Sequence, residues 1–208
     1  MTKTNLRFGK NSSNPLLIVI SGPSGIGKDA VVGLLRRTNA DMHFVITMNS
    51  RPPRKDERDG VDYFFVSREE FEKKIADGEL LEHAKVYSDY KGIPKSQVRE
   101  AFASGKDVIM RLDVQGAMTI RKLCPEAVLI FLTASSCEEW IVRLQARRSD
   151  SPEEIALRIK TADAEYALLK KFDYVVVNSE DHLDQTISDI QAIIKTEHLR
   201  TKPRKVKL

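Results

Sequence analysis

Gly22, Pro23, Ser24, Gly25, Ile26, Gly27 and Lys28 follow an apolar run and precede a helical one, with the G-x-x-x-x-G-K spacing of a phosphate-binding loop. Gly25 and Gly27 let successive backbone N–H groups turn onto phosphate oxygens without Cβ obstruction, and the helix N-terminus adds partial positive charge. Lys28 reaches the β- and γ-phosphates of a nucleoside triphosphate. Asp29 comes next, where a Ser or Thr hydroxyl normally ligates magnesium. A carboxylate is also a hard oxygen ligand, so Asp29 is a candidate Mg²⁺ ligand, directly or through water. It could equally hold a nearby arginine, or simply suit the positive end of the helix dipole.

Two further sets of cations have phosphate-binding patterns. Arg51 and Arg54 flank two prolines that stiffen the backbone, and so present paired guanidinium groups to one phosphate. Arg143 and Arg147 share a helix face, and Arg158 lies on the next expected helix.

The elements that must position these residues can be read from apolar periodicity. Leu16–Ser21, Asp107–Asp113, Ala127–Thr133 and Tyr174–Ser179 read as buried strands alternating with helices. That alternation predicts an α/β fold with a parallel sheet flanked by helices. One helix leaves the glycine loop and runs through Leu35, and another follows Ser67, whose spacing to Glu70 suits a capping box. Others are expected over Ser135–Arg147 and Pro152–Lys171, and a last over Leu183–Lys195, where Leu183, Ile187, Ile190 and Ile194 keep helical spacing. The stretch Arg51–Lys95, rich in charge and tyrosine, interrupts the alternation as an insertion would.

A chain of 208 residues with 41% hydrophobic content suffices for one compact unit. Its net charge of +4 suits a phosphorylated small molecule as well as nucleic acid. With only Cys124 and Cys137, and no apolar stretch approaching the ~20 residues a bilayer requires, a reducing compartment and no membrane partner are expected. The terminal basic residues read as a solvated tail, which makes no case for a nucleic-acid partner.

The strings "SRPPRKDERDGVDYFFVSREEF", "GELLEHAKVY" and "LDVQGA" resemble the guanylate kinases, and the resemblance runs from about Pro15 to Ile194. It implies a P-loop NTPase fold with an inserted GMP-binding region and a mobile lid. It also implies transfer of the γ-phosphate of ATP to GMP, and to dGMP, with Mg²⁺ accompanying ATP. The implied divisions are a flexible segment 1–14, core 15–46, GMP-binding insertion 47–95, core 96–140, lid 141–157, core 158–196 and a basic tail 197–208. On the acceptor side the family pattern falls on Thr47, Arg51, Arg54, Tyr63, Glu82, Lys91 and Asp113. Glu82 is the implied base reader, since a carboxylate accepts from guanine N1–H and the exocyclic amine but meets an acceptor on adenine. On the donor side Lys28, Arg143, Arg147 and Arg158 handle the transferring phosphoryl group, and Asn178 resembles a residue near the adenine.

Several positions depart from the family pattern. Besides Asp29, the first of two strand acids is replaced by Arg111, while the second survives as Asp113. Lys91 stands where a tyrosine commonly serves the GMP phosphate, and Ile93 where a small hydroxyl residue lies near guanine. The exchange of a hydroxyl for Asp29 and of an acid for Arg111 largely cancels in charge, so a direct or water-mediated Asp29–Arg111 contact is expected. The combination resembles the cyanobacterial and plant-organelle branch. A cytoplasmic enzyme is expected, or a plastid or mitochondrial one had a presequence been removed, as monomer or homodimer. Two rival readings are a ribose 1,5-bisphosphate phosphokinase-like enzyme, which needs no guanine reader, and a non-catalytic phosphopeptide-binding module, which would tend to lose Lys28 and the lid arginines.

Overall fold

The computed structural model describes residues 14–55, 57–86, 88–146, 151–179 and 181–207. Its strands are β1 (Leu17–Ser21), β2 (Met42–Phe44), β3 (Thr47–Asn49), β4 (Tyr63–Phe65), β5 (Leu80–Val86), β6 (Asp89–Pro94), β7 (Asp107–Arg111), β8 (Val128–Thr133) and β9 (Tyr174–Val177). Its helices are α1 (Lys28–Thr38), α2 (Arg68–Ala76), α3 (Lys95–Ala103), α4 (Val114–Leu123), α5 (Cys137–Gln145), α6 (Pro152–Ala167) and α7 (Leu183–His198).

A five-stranded sheet in the order β2-β7-β1-β8-β9 forms the core, with each neighbouring pair parallel. β1 is buried along its length, as a strand covered on both faces must be. Its alternate residues serve opposite faces. Ile18 and Ile20 join a cluster with Val31 and Leu35 of α1 and Ile187 and Ile190 of α7, while Leu17 and Val19 join Val98 of α3 and Ala117 and Ile120 of α4. Each such side chain, once removed from water, contributes roughly 1.5–3 kcal/mol.

Residues 47–94 build a second sheet, ordered β4-β3-β6-β5, in which β3 and β4 run parallel and the other pairs antiparallel. It has a small core of its own, Met48, Phe71 and Leu80, with Tyr90 stacked on Phe71 at 5.3 Å. Ser67 caps α2 by accepting from the Glu70 N–H, and Ser151 and Glu154 complete a capping box at the start of α6.

Two elements differ from the sequence reading. The helix expected over Pro152–Lys171 ends at Ala167 and passes into a single 3₁₀ turn, Leu169–Lys171. The C-terminal stretch is exposed at Thr201, Lys202, Pro203, Lys205 and Lys207, as a solvated tail would be, but it is anchored at Arg204 and Val206. Arg204 is bound to Glu197 by two hydrogen bonds, Nε to Oε2 at 2.7 Å and Nη2 to Oε1 at 3.0 Å, and Val206 packs on the core cluster beneath α3 and α4. Charge alone suggested solvation, but a buried carboxylate at the end of α7 recruits the arginine, and its neighbour follows.

Candidate active site

The phosphate-binding loop is held from behind. Gly27 has φ of +91°, and a Cβ there would lie 2.5 Å from Nδ2 of Asn178, so the position is closed to other residues twice over. Asn178 donates to the Ile26 carbonyl at 2.8 Å, and its Oδ1 accepts from Thr186 at 3.0 Å. Trp140 donates to the Ser24 carbonyl at 2.8 Å. Buried hydrogen bonds therefore fix the loop's shape. Lys28 folds back over it, with Nζ on the carbonyls of Gly22 at 2.5 Å and Pro23 at 2.8 Å. Burial, and then the charge of Lys91, push the Lys28 ammonium down to about 8.

The loop opens on a cleft of about 340 Å³ whose other wall comes from the second sheet. Ser24, Gly25, Ile26, Gly27, Lys28 and Asp29 line one side, joined by Arg158 and Glu165 of α6. Arg158 donates to the Ser24 hydroxyl at 2.5 Å. Thr47, Arg51, Arg54, Tyr63, Glu82 and Lys91 line the other, with Asp113 and Arg111 at the floor. Residues far apart in sequence thus converge on one space.

On the acceptor wall, Arg51 makes a two-pronged ion pair with Glu57, at 2.7 and 2.6 Å, and the Arg54 N–H adds a third bond to the same carboxylate at 2.9 Å. Burial would raise Glu57, but these bonds hold it below the usual carboxylate range. The Arg51 guanidinium lies 5.3 Å from the Tyr63 ring centre. Burial pushes the Tyr63 hydroxyl up, and burial pushes Lys91 down. Thr47 is buried, and its hydroxyl donates to the Arg111 carbonyl at 3.3 Å.

Glu82 is the most unusual group in the cleft. It is 4% exposed, and its Oε2 has no hydrogen-bond partner among the described residues. Burial, with the nearby charge of Asp113 adding to it, pushes the carboxyl up to about 8. A Cβ at position 116 would lie 2.9 Å from that same oxygen, so Gly116 is what lets the carboxylate sit there. Asp113 caps α4 by accepting from the Gly116 N–H at 2.9 Å, which places the glycine.

Asp29 and Arg111 meet directly, Nη1 to Oδ1 at 2.7 Å. Of the three roles open to Asp29, the arginine partner is therefore present. Ile93 faces neither cleft wall. It is fully buried in the core cluster with Val98 and Met110, so its missing hydroxyl concerns packing. Asn178 lies beneath the loop rather than lining the cleft, its side chain committed to Ile26 and Thr186. Arg143 also stands off the cleft, donating to the Asn178 carbonyl at 2.7 Å and pairing with Glu139. Arg147 lies outside the described residues.

Glu165 and Glu57 escaped the sequence reading. Glu165 lies seven residues after Arg158, two turns along the same helix face, and that spacing was the available signal. Burial raises its carboxyl to about 7, while Lys28 and Arg158 pull the other way.

Residues 14–197 match the family model described as guanylate kinase. The chain is 45% identical over 195 residues to guanylate kinase 2, chloroplastic/mitochondrial, of Oryza sativa, covering 93% of this chain and 68% of that one. It is 42% identical over 190 residues to the guanylate kinase of Latilactobacillus sakei, covering 91% and 93%. Its structure is similar to the crystal structure of guanylate kinase from Anaplasma phagocytophilum, with a TM-score of 0.75, 28% identity and coverage of 91% and 89%.

Proposed function

The chain belongs to the guanylate kinase family and is an ATP:GMP phosphotransferase, and we propose that its cleft divides into a donor wall built on the loop before α1 and an acceptor wall built on the second sheet. One observation carries this division. A phosphate-binding loop and Glu82, a buried carboxylate with one oxygen unpartnered among the described residues, face the same space.

Glu82 accepts from guanine N1–H and the exocyclic amine, and Thr47 completes the reading of the base edge. Adenine offers Glu82 at most one bond, from the protonated carboxyl to N1, and has no exocyclic amine beside it for the second oxygen, so it is bound less well than guanine, which pairs both. Arg51, Arg54, Tyr63 and Lys91 hold the acceptor phosphate. Glu57 keeps Arg51 in place, presenting its fork rather than leaving it to rotate. The contacts assigned to base and phosphate need no ribose 2′-hydroxyl, so dGMP is accepted as well.

The acceptor phosphate oxygen is already a competent nucleophile at neutral pH, so little proton transfer is required. Rate comes from alignment and charge neutralisation. Lys28 leaves the Gly22 and Pro23 carbonyls for the β- and γ-phosphates, and Arg158, anchored beside Ser24, faces the transferring group. Arg143 joins it once released from the Asn178 carbonyl, and Arg147 is assigned to the same phosphoryl group from its sequence position.

Among the described residues no group of three or more His, Cys, Asp or Glu could cage a metal. Magnesium would accompany the ATP phosphates, and the hard oxygens of Asp29 are the ones in the cleft that would help to hold it. When bound, such an ion would supply positive charge that offsets the negative charge of the phosphates.

The reading is tested by coupled ADP release with ATP and Mg²⁺, comparing GMP, dGMP, AMP, UMP and ribose 1,5-bisphosphate. Turnover confined to guanine acceptors is expected. Binding of GMP without any turnover would instead mark a binding module.

A further inference from the structure

The turn carrying Tyr63 is tied to the core by two arginines from different elements. Arg36 of α1 donates from Nη1 to the Val61 carbonyl at 2.8 Å, and Arg111 at the end of β7 donates from Nη2 to the Asp62 carbonyl at 2.8 Å. The other terminal nitrogen of Arg111 binds Asp29, in the first turn of α1, at 2.7 Å. Its guanidinium carbon lies 4.4 Å from the centre of the Tyr63 ring. One side chain, 13% exposed, thus touches the residue after Lys28, the backbone of the insertion and the tyrosine of the acceptor wall.

Only a guanidinium can make these contacts together. It has donors on separate edges and a flat face for the ring, whereas a lysine offers one point charge and a carboxylate repels both Asp29 and the carbonyls. A neutral hydroxyl at position 29 would leave the arginine among Arg51, Arg36 and Lys91 with less to oppose their mutual repulsion. The two departures from the usual residue pattern therefore make one mechanical unit.

We propose that Arg111 is a positioning residue for phosphoryl transfer, anchored by Asp29, that holds the donor helix and the Tyr63 turn at one separation. The proposal rests on the ATP:GMP phosphotransferase reading. Donor and acceptor phosphates must meet in line, and an error near 1 Å in such an alignment costs on the order of 10²-fold in rate. The pair is partly open to water, so its contribution to stability is small beside its contribution to geometry.

The test compares Arg111→Met, Arg111→Lys, Asp29→Ser, Tyr63→Phe and the relevant double variants. It uses steady-state kinetics and calorimetric GMP binding with neither ATP nor metal present. Arg111→Met is expected to lower kcat roughly 30- to 100-fold. It should weaken GMP binding about tenfold through the lost Tyr63 support, leaving KM for ATP within about threefold. Arg111→Lys should restore little of this, because the second donor edge is still missing. In the Asp29→Ser background the same Arg111→Met change should cost about fivefold less, since the anchor is already gone. Simple multiplication of the two effects on kcat would overturn the bridge. So would a shift confined to melting temperature, with kcat and GMP affinity within about twofold of the parent. Should the parent chain bind GMP yet fail to phosphorylate it, the kinase reading falls, and the Arg111–Tyr63 coupling in GMP affinity still decides the bridge.

Discussion

Glu82 in the acceptor wall and Glu197 at the end of α7 are almost equally hidden, 4% and 1% exposed. Their electrostatics are opposite. Glu197 accepts from the Tyr174 hydroxyl at 2.6 Å and takes two bonds from Arg204, so although burial would raise it, its carboxyl is held below the usual range. Glu82 has an oxygen with no partner among the described residues, and its carboxyl is raised to about 8 by burial, with the charge of Asp113 adding to it. A carboxylate satisfied by its own chain holds the fold together, whereas one left unsatisfied is kept for a ligand. The comparison extends to the regions around them. Changes in the cleft should cost activity and spare stability, and changes around Glu197 should do the reverse.

The largest effect expected is at the donor wall. Lys28→Met should lower kcat at least ~10³-fold by removing the charge that meets the transferring phosphates, with little change in the urea midpoint. A large loss of stability would break the distinction, since among the described residues Lys28 bonds to carbonyls of its own loop. On the other side, Arg204→Ala leaves Glu197 buried with only part of its support. We expect a loss of about 3 kcal/mol in unfolding free energy, and kcat within about twofold at 25 °C. Reduced turnover in the fully folded variant would show that the C-terminal clamp reaches the cleft. Glu82→Gln should lower kcat/KM for GMP about 10²-fold through loss of charge-assisted bonds to the base, and should not lower stability. Discrimination against AMP, measured on the same preparation, should narrow.

The difference between these regions also explains what could be read from the sequence. The loop from Gly22 to Lys28 was legible because its chemistry is local, seven consecutive residues between a strand and a helix. The core strands were legible for the same reason, as runs of apolar residues bounded by turns. Arg111 and Asp29 could be linked in advance only through their complementary charges, and the contact to the Asp62 carbonyl had no sequence signal at all. The raised carboxyl of Glu82 depends on Gly116, 34 positions away and visible only once α4 crosses the acceptor wall. Four of the five basic residues near the C-terminus are exposed as their charge suggests, and the anchoring of the fifth, Arg204, had no sequence signal because it depends on meeting a buried acid. Short β2 and β3, of three residues each, carry too little periodicity to be seen.

The smallest expected effect is also the sharpest test of the comparison, because it asks for a sign. Glu82 titrates near 4.5 when exposed and near 8 in the folded chain, so between those values the folded state holds a proton that the unfolded chain has released. Unfolding free energy therefore falls, on account of this group, as pH rises from about 4.5 toward 8. Glu82→Gln removes the term. Its stability advantage over the parent should grow between pH 5 and pH 8.5 when both are unfolded in urea without nucleotide. Glu197 contributes with the opposite sign and in another window, since its lowered carboxyl stabilises above the ordinary range and that support is lost as pH falls through its folded value. GMP reverses the cost at Glu82 by pairing the carboxylate, so binding at pH 7 should release a proton, and apparent affinity should strengthen toward pH 8 and then level. Calorimetry of GMP binding in two buffers of different ionisation enthalpy reads that proton directly. A heat independent of buffer, together with a flat stability difference, would mean that Glu82 is charged in the free protein after all, and that its burial is no different in kind from that of Glu197.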